Sequence, residues 1–158
     1  MPSERAIALA EEFVASNDAV VAFAQSCDDV QWVTMVPGED WPVGVVIHHI
    51  AEGHAQMAHW LTAMVAGDGV PDTNDDIDGR NVTHAERSAT VSIAETVALL
   101  QENSRQIETF IRQLSDEELD RTAPFGPAGG QSLPVFQLVS ASFGHAQGHL
   151  AHAEAAVR

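Results

Sequence analysis

Histidine is the residue type in this chain whose number and spacing point most directly to chemistry. Eight occur in 158 residues, and seven of them fall in two stretches: His48, His49, His54 and His59, then His145, His149 and His152. Neutral imidazole is a common donor to divalent transition metals and titrates close to neutral pH. The segment His145-Ala146-Gln147-Gly148-His149 sets two imidazoles four residues apart. On a helix that spacing puts both on one face, one turn apart, where they can share a single ion. The spacing also occurs by chance, and an exposed pair then simply titrates, so a third ligand must come from elsewhere.

Helical-wheel positions select it. With His49 at 0° and about 100° per residue, Val46, Gly53, Met57, Trp60 and Met64 fall between about 20° and 80°, an apolar stripe with His49 at its edge. His48 at about −100° and His59 at about −80° lie on a polar flank with Glu52, and His54 at about 140° lies off the stripe on its other side. His49 is therefore expected to face inward and His48 outward. With His145 at 0°, His149 near 40° and His152 near −20° form a strip beside Val135, Ala146 and Ala153. If the two helices are antiparallel neighbours, His49 and His149 stand at one height, roughly 10 Å from one end. Three protein ligands with an open position are the catalytic pattern, whereas structural zinc is closed by four. Cys27, the only cysteine, excludes a site built from several thiolates, and neither His-bearing segment contains a Glu-x-x-His repeat. The expected centre is thus mononuclear, held by His49, His145 and His149.

The elements that must position these residues are helices. Ser3 is a candidate N-cap for a first helix running to about Cys27. Asp28 to Asp40 breaks the pattern, with Pro37-Gly38 as a turn, and Pro42 opens a second helix that Gly67-Asp68-Gly69 ends near Ala66. The stretch from Gly67 to Thr90 reads as a loop in which Thr83 to Glu86 caps one short helical turn. Ser92 and Glu95 form a capping box for a third helix with Ile93, Val97, Leu100, Ile107, Ile111 and Leu114 on one face, and Ser115 to Glu118 opens a short helix. After the turn-rich Phe125 to Gly130, a last helix spans about Leu133 to Ala156, with Pro134 in its first turn. No strand-like alternation competes with these assignments. Helices of about 22 to 25 residues are roughly 33 to 37 Å long, the scale of an all-α four-helix bundle. The connection between the second and third helices can return along a whole helix at about 3.3 Å per residue, which permits those two to be parallel.

Composition bounds the partners. With 23 acidic residues against 7 basic ones the formal charge is −16, which argues against nucleic acid or an anionic membrane. An apolar content of 45% supports one core, so residues 1–158 are read as one domain. A single cysteine, short apolar runs and an N-terminus without a basic head make a cytoplasmic protein the expectation. The acidic run from Asp72 to Asp78 lacks EF-hand spacing and reads as a solvated loop.

The stretch from Trp41 to Ile50, with a Trp eight residues before a His-Ile pair, resembles the first signature of the DinB/YfiT-like metal-dependent superfamily. HAQGHL from His145 to Leu150 is similar to its second signature, and LSDEEL at Leu114 to Leu119 to its usual connection between the third and fourth helices. The resemblance covers about Ser3 to Ala156. It implies an up-down-down-up four-helix bundle and a divalent metal, zinc or nickel, on His49, His145 and His149. It also implies a small-molecule substrate and, in some members, a low-molecular-weight thiol such as mycothiol or bacillithiol used in S-transferase or isomerase chemistry. A metal-dependent hydrolase and a non-catalytic, ligand-binding stress-response protein are the alternatives, and a homodimer is left open. His152 stands where the family often has Gln, as a proton shuttle, a partner to a ligand or a surface residue. Trp41, Gln56 and Trp60 are expected to line a substrate cleft at the bundle end, with the Val33 to Trp41 connection at its rim.

Overall fold

Most helices begin where a side chain accepts an otherwise free first-turn amide. In the computed structural model, which describes residues 2–158, Ser3 accepts from the Ala6 amide and opens α1 (Glu4–Ser26). A reciprocal Asp28/Gln31 box starts the short α2 (Asp29–Trp32). A hairpin of β1 (Met35–Val36) and β2 (Trp41–Pro42) leads into α3 (Val43–Ala66), which Gly67 ends in the left-handed conformation at φ 87°. The crossover carries α4 (Asn74–Arg87), and the Ser92/Glu95 box then opens α5 (Ile93–Arg112). The Ser115/Glu118 box opens α6 (Asp116–Asp120). A second antiparallel hairpin, β3 (Thr122–Phe125) with β4 (Gln131–Pro134), precedes α7 (Val135–Ala156).

Two apolar clusters fix the direction of each long helix. At one end Phe13 of early α1 packs with Leu61 and Met64 of late α3, Ile107 and Ile111 of late α5, and Val135 and Leu138 of early α7. At the other end Val20 and Ala24 of late α1 meet Val43 and Ile47 of early α3, Leu100 of α5, and Leu150 and Ala153 of late α7. Thus α1 and α7 run one way and α3 and α5 the other, the up-down-down-up order, with α3 and α5 as parallel neighbours. Among the described residues no helix is long and apolar enough to cross a membrane.

Two sequence expectations are corrected. Short strands exist, but they are two and four residues long, too brief for alternation to stand out. The supposed loop of the crossover is largely helical. Its cap is the Thr73/Asp76 box, ten residues before the Thr83 start expected, and the Thr83 hydroxyl instead donates to the Gly79 carbonyl within the helix. Asp75 and Asp76 in the first turn and His84 and Arg87 in the last oppose the helix dipole favourably, so the acidic run belongs to a helix start. With Val82 60% exposed, α4 has almost no apolar face to betray its period.

Candidate metal centre

Late α7 presents His145 and His149 one turn apart, and antiparallel α3 presents His49 against them. One ring nitrogen from each lies within 4.8 Å of the other two, and the Nε2 atoms of His145 and His149 are 3.2 Å apart. The ring planes meet steeply, at 89° for His145 with His149, 83° for His49 with His149 and 71° for His49 with His145. Two nitrogens on one tetrahedral ion with bonds of about 2.0–2.1 Å would be roughly 3.3 Å apart. The spacing therefore fits one divalent cation, and an all-imidazole set suits zinc or nickel.

The electrostatics favour the neutral, ligating form of His49 and His145. Burial, then the neighbouring His149, His145, His84 and His48, push His49 down to about 3. His145 sits at the cavity mouth, surrounded by protein yet open to solvent, and burial followed by His149 lowers it as well.

The tip of the β1–β2 hairpin supplies an unanticipated carboxylate. Glu39 Oε1 accepts from His149 Nδ1 at 2.9 Å and from His152 Nδ1 at 2.7 Å. With its Nδ1 proton so engaged, a neutral His149 turns its Nε2 lone pair toward the triad. Burial pushes Glu39 up, but the bonds from His152 and His149 outweigh it and hold the carboxyl below its ordinary range. His152 is 62% exposed at its side chain, so it lies at the surface and reaches the site through this shared carboxylate.

A cavity of about 350 Å³ adjoins the triad, with mostly apolar walls that include Ile50, Met57, Phe125 and Leu138. Gln56 and Trp60 line it, while Trp41 does not: it packs edge-on against His49 at 5.2 Å between ring centroids. Among the described residues none from Val33 to Trp41 lines the cavity. It runs along α3 and α7 toward Phe125, and α4 forms its other wall through Ile77, Arg80, Asn81 and His84, where the Val33 to Trp41 rim was expected. The crossover thus contributes a helix to the cavity wall. Asp72 holds the wall in order, accepting from Arg80 at 2.7 Å and from the Trp60 indole at 3.2 Å.

The remaining histidines differ from the wheel. α3 packs against both α5 and α7, so its buried arc includes Val43, Ile47, Ile50, Ala51, His54 and Leu61 and is displaced from the stripe read from the sequence. His54 is consequently 4% exposed; its Nε2–H donates to Asn17 Oδ1 at 3.0 Å, and burial followed by His145 pushes its pKa down to about 4. His49 lies at the edge of this arc and faces α7. His48 is half-buried against α4 instead of facing solvent, and His59 is exposed. Glu39, His84 and Arg80 were not anticipated as neighbours of the site.

The profile of the DinB superfamily matches residues 12–153. The crystal structure of the mycothiol-dependent maleylpyruvate isomerase is similar with a TM-score of 0.72 at 13% identity, covering 96% of this chain and 60% of that one. YfiT from Bacillus subtilis, described as a probable metal-dependent hydrolase with an unusual four-helix bundle topology, gives 0.72 at 22% identity, covering 98% and 89%. The chain thus spans 60% of the isomerase's length. No curated protein matches the sequence significantly.

Proposed function

Because the chain belongs to the DinB superfamily, we propose that it is a metal-dependent enzyme in which His49, His145 and His149 hold one divalent cation, zinc or nickel. Its free face serves a low-molecular-weight thiol, such as mycothiol or bacillithiol, or water, directed at a small electrophile. The observation that carries this reading is the meeting of three imidazole nitrogens beside a partly open, largely apolar cavity. When bound, such a cation lowers the pKa of a thiol or a water molecule and so supplies an anionic nucleophile at neutral pH.

The protein's own groups supply position and exclusion. Glu39 fixes the His149 ring and its tautomer, and His152 keeps that carboxylate charged and aligned. Trp41 packs edge-on against His49 and His84. The walls of Ile50, Met57, Phe125 and Leu138 keep water from an electrophile lying against the triad, and Trp60 and Arg80 are held in place by Asp72. The charged side chains at the walls are paired, Arg80 with Asp72 and Glu52 with Arg87, so the cavity favours a substrate with an apolar body.

A hydrolase using water alone is the second reading. It is favoured by the 89% coverage of YfiT, a probable metal-dependent hydrolase, against 60% of the isomerase. The two separate in one assay: protein loaded with zinc or nickel is given a panel of apolar electrophiles and esters with and without mycothiol, bacillithiol or glutathione. Turnover that requires thiol supports transferase or isomerase chemistry, and turnover without it supports hydrolysis. A metal-loaded protein that binds panel members without turning any over would defeat both and leave the ligand-binding reading.

A further inference from the structure

Helix α3 carries a second pair with the spacing seen on α7. His48 and Glu52 are four residues apart on one face, and α4 brings His84 against them. One ligand atom from each lies within 4.8 Å of the other two. His48 Nδ1 and His84 Nε2 are 2.9 Å apart with ring planes within 16° of parallel, so one proton lies between them. His84 is 4% exposed, and its Nδ1 is buried with no hydrogen-bond partner among the described residues. That nitrogen is not the one facing His48, so an ion bound between the two rings would meet His84 through Nε2 and not through Nδ1. Arg87 holds Glu52 by donating to Oε1 at 2.6 Å, and a carboxylate so bound keeps lone pairs for another partner.

We propose that His48, Glu52 and His84 form a second site for a divalent transition-metal ion, adjacent to the first. The ion displaces the proton shared by His48 and His84, which passes to solvent, and Glu52 offsets one of its charges. Two imidazoles and a carboxylate suit zinc, nickel, cobalt or iron(II) better than magnesium or calcium. The 2.9 Å separation of the two nitrogens is close to that of neighbouring ligands at right angles on an ion with bonds of about 2.0–2.1 Å. The rings therefore need to tilt until their lone pairs converge, without moving apart. The approach from solvent is a groove lined by Glu52, Asp75, Asp76 and Thr83, with Arg80 and Arg87 at its sides. A chain of net charge −16 draws cations toward it. His84 also borders the cavity of the first triad, its ring centroid 5.5 Å from that of His49, so two ions would face one space. The second site stands on its own residues and does not depend on the proposed enzyme activity.

Equilibrium dialysis of the tag-free protein against Co(II), with helix content followed by circular dichroism, tests it. The wild-type protein is expected to take up two equivalents, and His84→Gln, Glu52→Gln and His145→Ala one each. One equivalent that survives His145→Ala and is lost in His84→Gln would also support the second site, while removing the basis of the proposed enzyme. One equivalent lost in His145→Ala and kept in His84→Gln, two equivalents unchanged in both Gln variants, or no uptake would overturn the proposal. Anomalous diffraction from crystals soaked in Co(II) gives an independent reading: a peak between His48 and His84 supports it, and a peak at the first triad alone overturns it.

Discussion

The two ligand triads that meet on α3 share one construction and differ in what holds their rings. Each combines a pair four residues apart on one helix with a single histidine from another, and His48 and His49, adjacent in sequence, point to opposite partners. In the first, the ring planes meet at 71° to 89°, and Glu39 fixes one ring from behind. In the second, the histidine planes lie within 16° of parallel, with the facing nitrogens of His48 and His84 2.9 Å apart. The first triad also rests on two bundle helices clamped by the core, whereas the second depends on α4, which touches the bundle through few apolar side chains. Preorganisation, more than donor identity, separates a site that receives an ion as it stands from one that must turn its ligands first.

The largest expected effect breaks the comparison outright. His145→Ala or His149→Ala should weaken metal binding at the first triad by more than about 100-fold, since loss of a direct ligand exceeds the usual effect of losing an outer partner. His48→Ala should leave that affinity within a few-fold. Competition with a chromophoric chelator measures both, and equal losses in His48→Ala would dissolve the distinction between the triads.

A second expectation sets both triads against a histidine that binds nothing. His54 is held neutral by burial, with its pKa near 4 in the folded state against 6.5 for the free side chain. The unfolded chain therefore takes up the proton first, and the metal-free protein loses stability as pH falls from 6.5 toward 4. At about 1.4 kcal/mol per pKa unit the loss reaches roughly 3 kcal/mol. Urea titrations across that range check it, and His54→Gln should flatten the slope without changing metal stoichiometry at neutral pH.

Smaller effects sharpen the difference in preorganisation. Glu39→Gln should lower first-triad affinity by about 10 to 100-fold, the usual range for a partner that orients a ligand. His152→Ala should cost less, because the carboxylate still meets His149; titration calorimetry with zinc would show the order. The smallest effect is expected from Thr73→Ala, which removes the cap of α4 at about 1 kcal/mol. That loosening should weaken uptake at His48, Glu52 and His84 and leave the first triad unchanged.

What was legible in the sequence tracks what the core holds. The four long helices declare themselves through caps at Ser3 and Ser92, through Pro42 and Pro134 and through apolar periodicity, and their lengths and the long crossover allow the parallel α3 and α5. His145 and His149 share a face because helix geometry alone requires it. The residues missed are those placed by tertiary contacts. His84 sits on a helix without an apolar stripe, and Glu39 reaches α7 only because Gly38 and Asp40 take φ of 84° and 58° in the hairpin. His54 fell off the wheel's stripe because a helix with two packed neighbours buries a broader arc than one average direction describes.

The crossover is closed by two backbone fastenings that involve none of the α4 side chains. At its start Val70 donates to the Pro124 carbonyl at 2.8 Å and accepts from the Gly126 amide at 2.7 Å. At its end the Trp32 indole donates to the Val91 carbonyl at 2.8 Å, and that indole fills the space a side chain at Gly44 would need. The stretch between them is thus an exchangeable cassette: its ends are set by the scaffold, and its interior forms one wall of the cavity. Replacing that insert is expected to change what the cavity accepts while the imidazoles on α3 and α7 stay where they are, and a chimera carrying a foreign 73–88 segment should fold and retain the first triad.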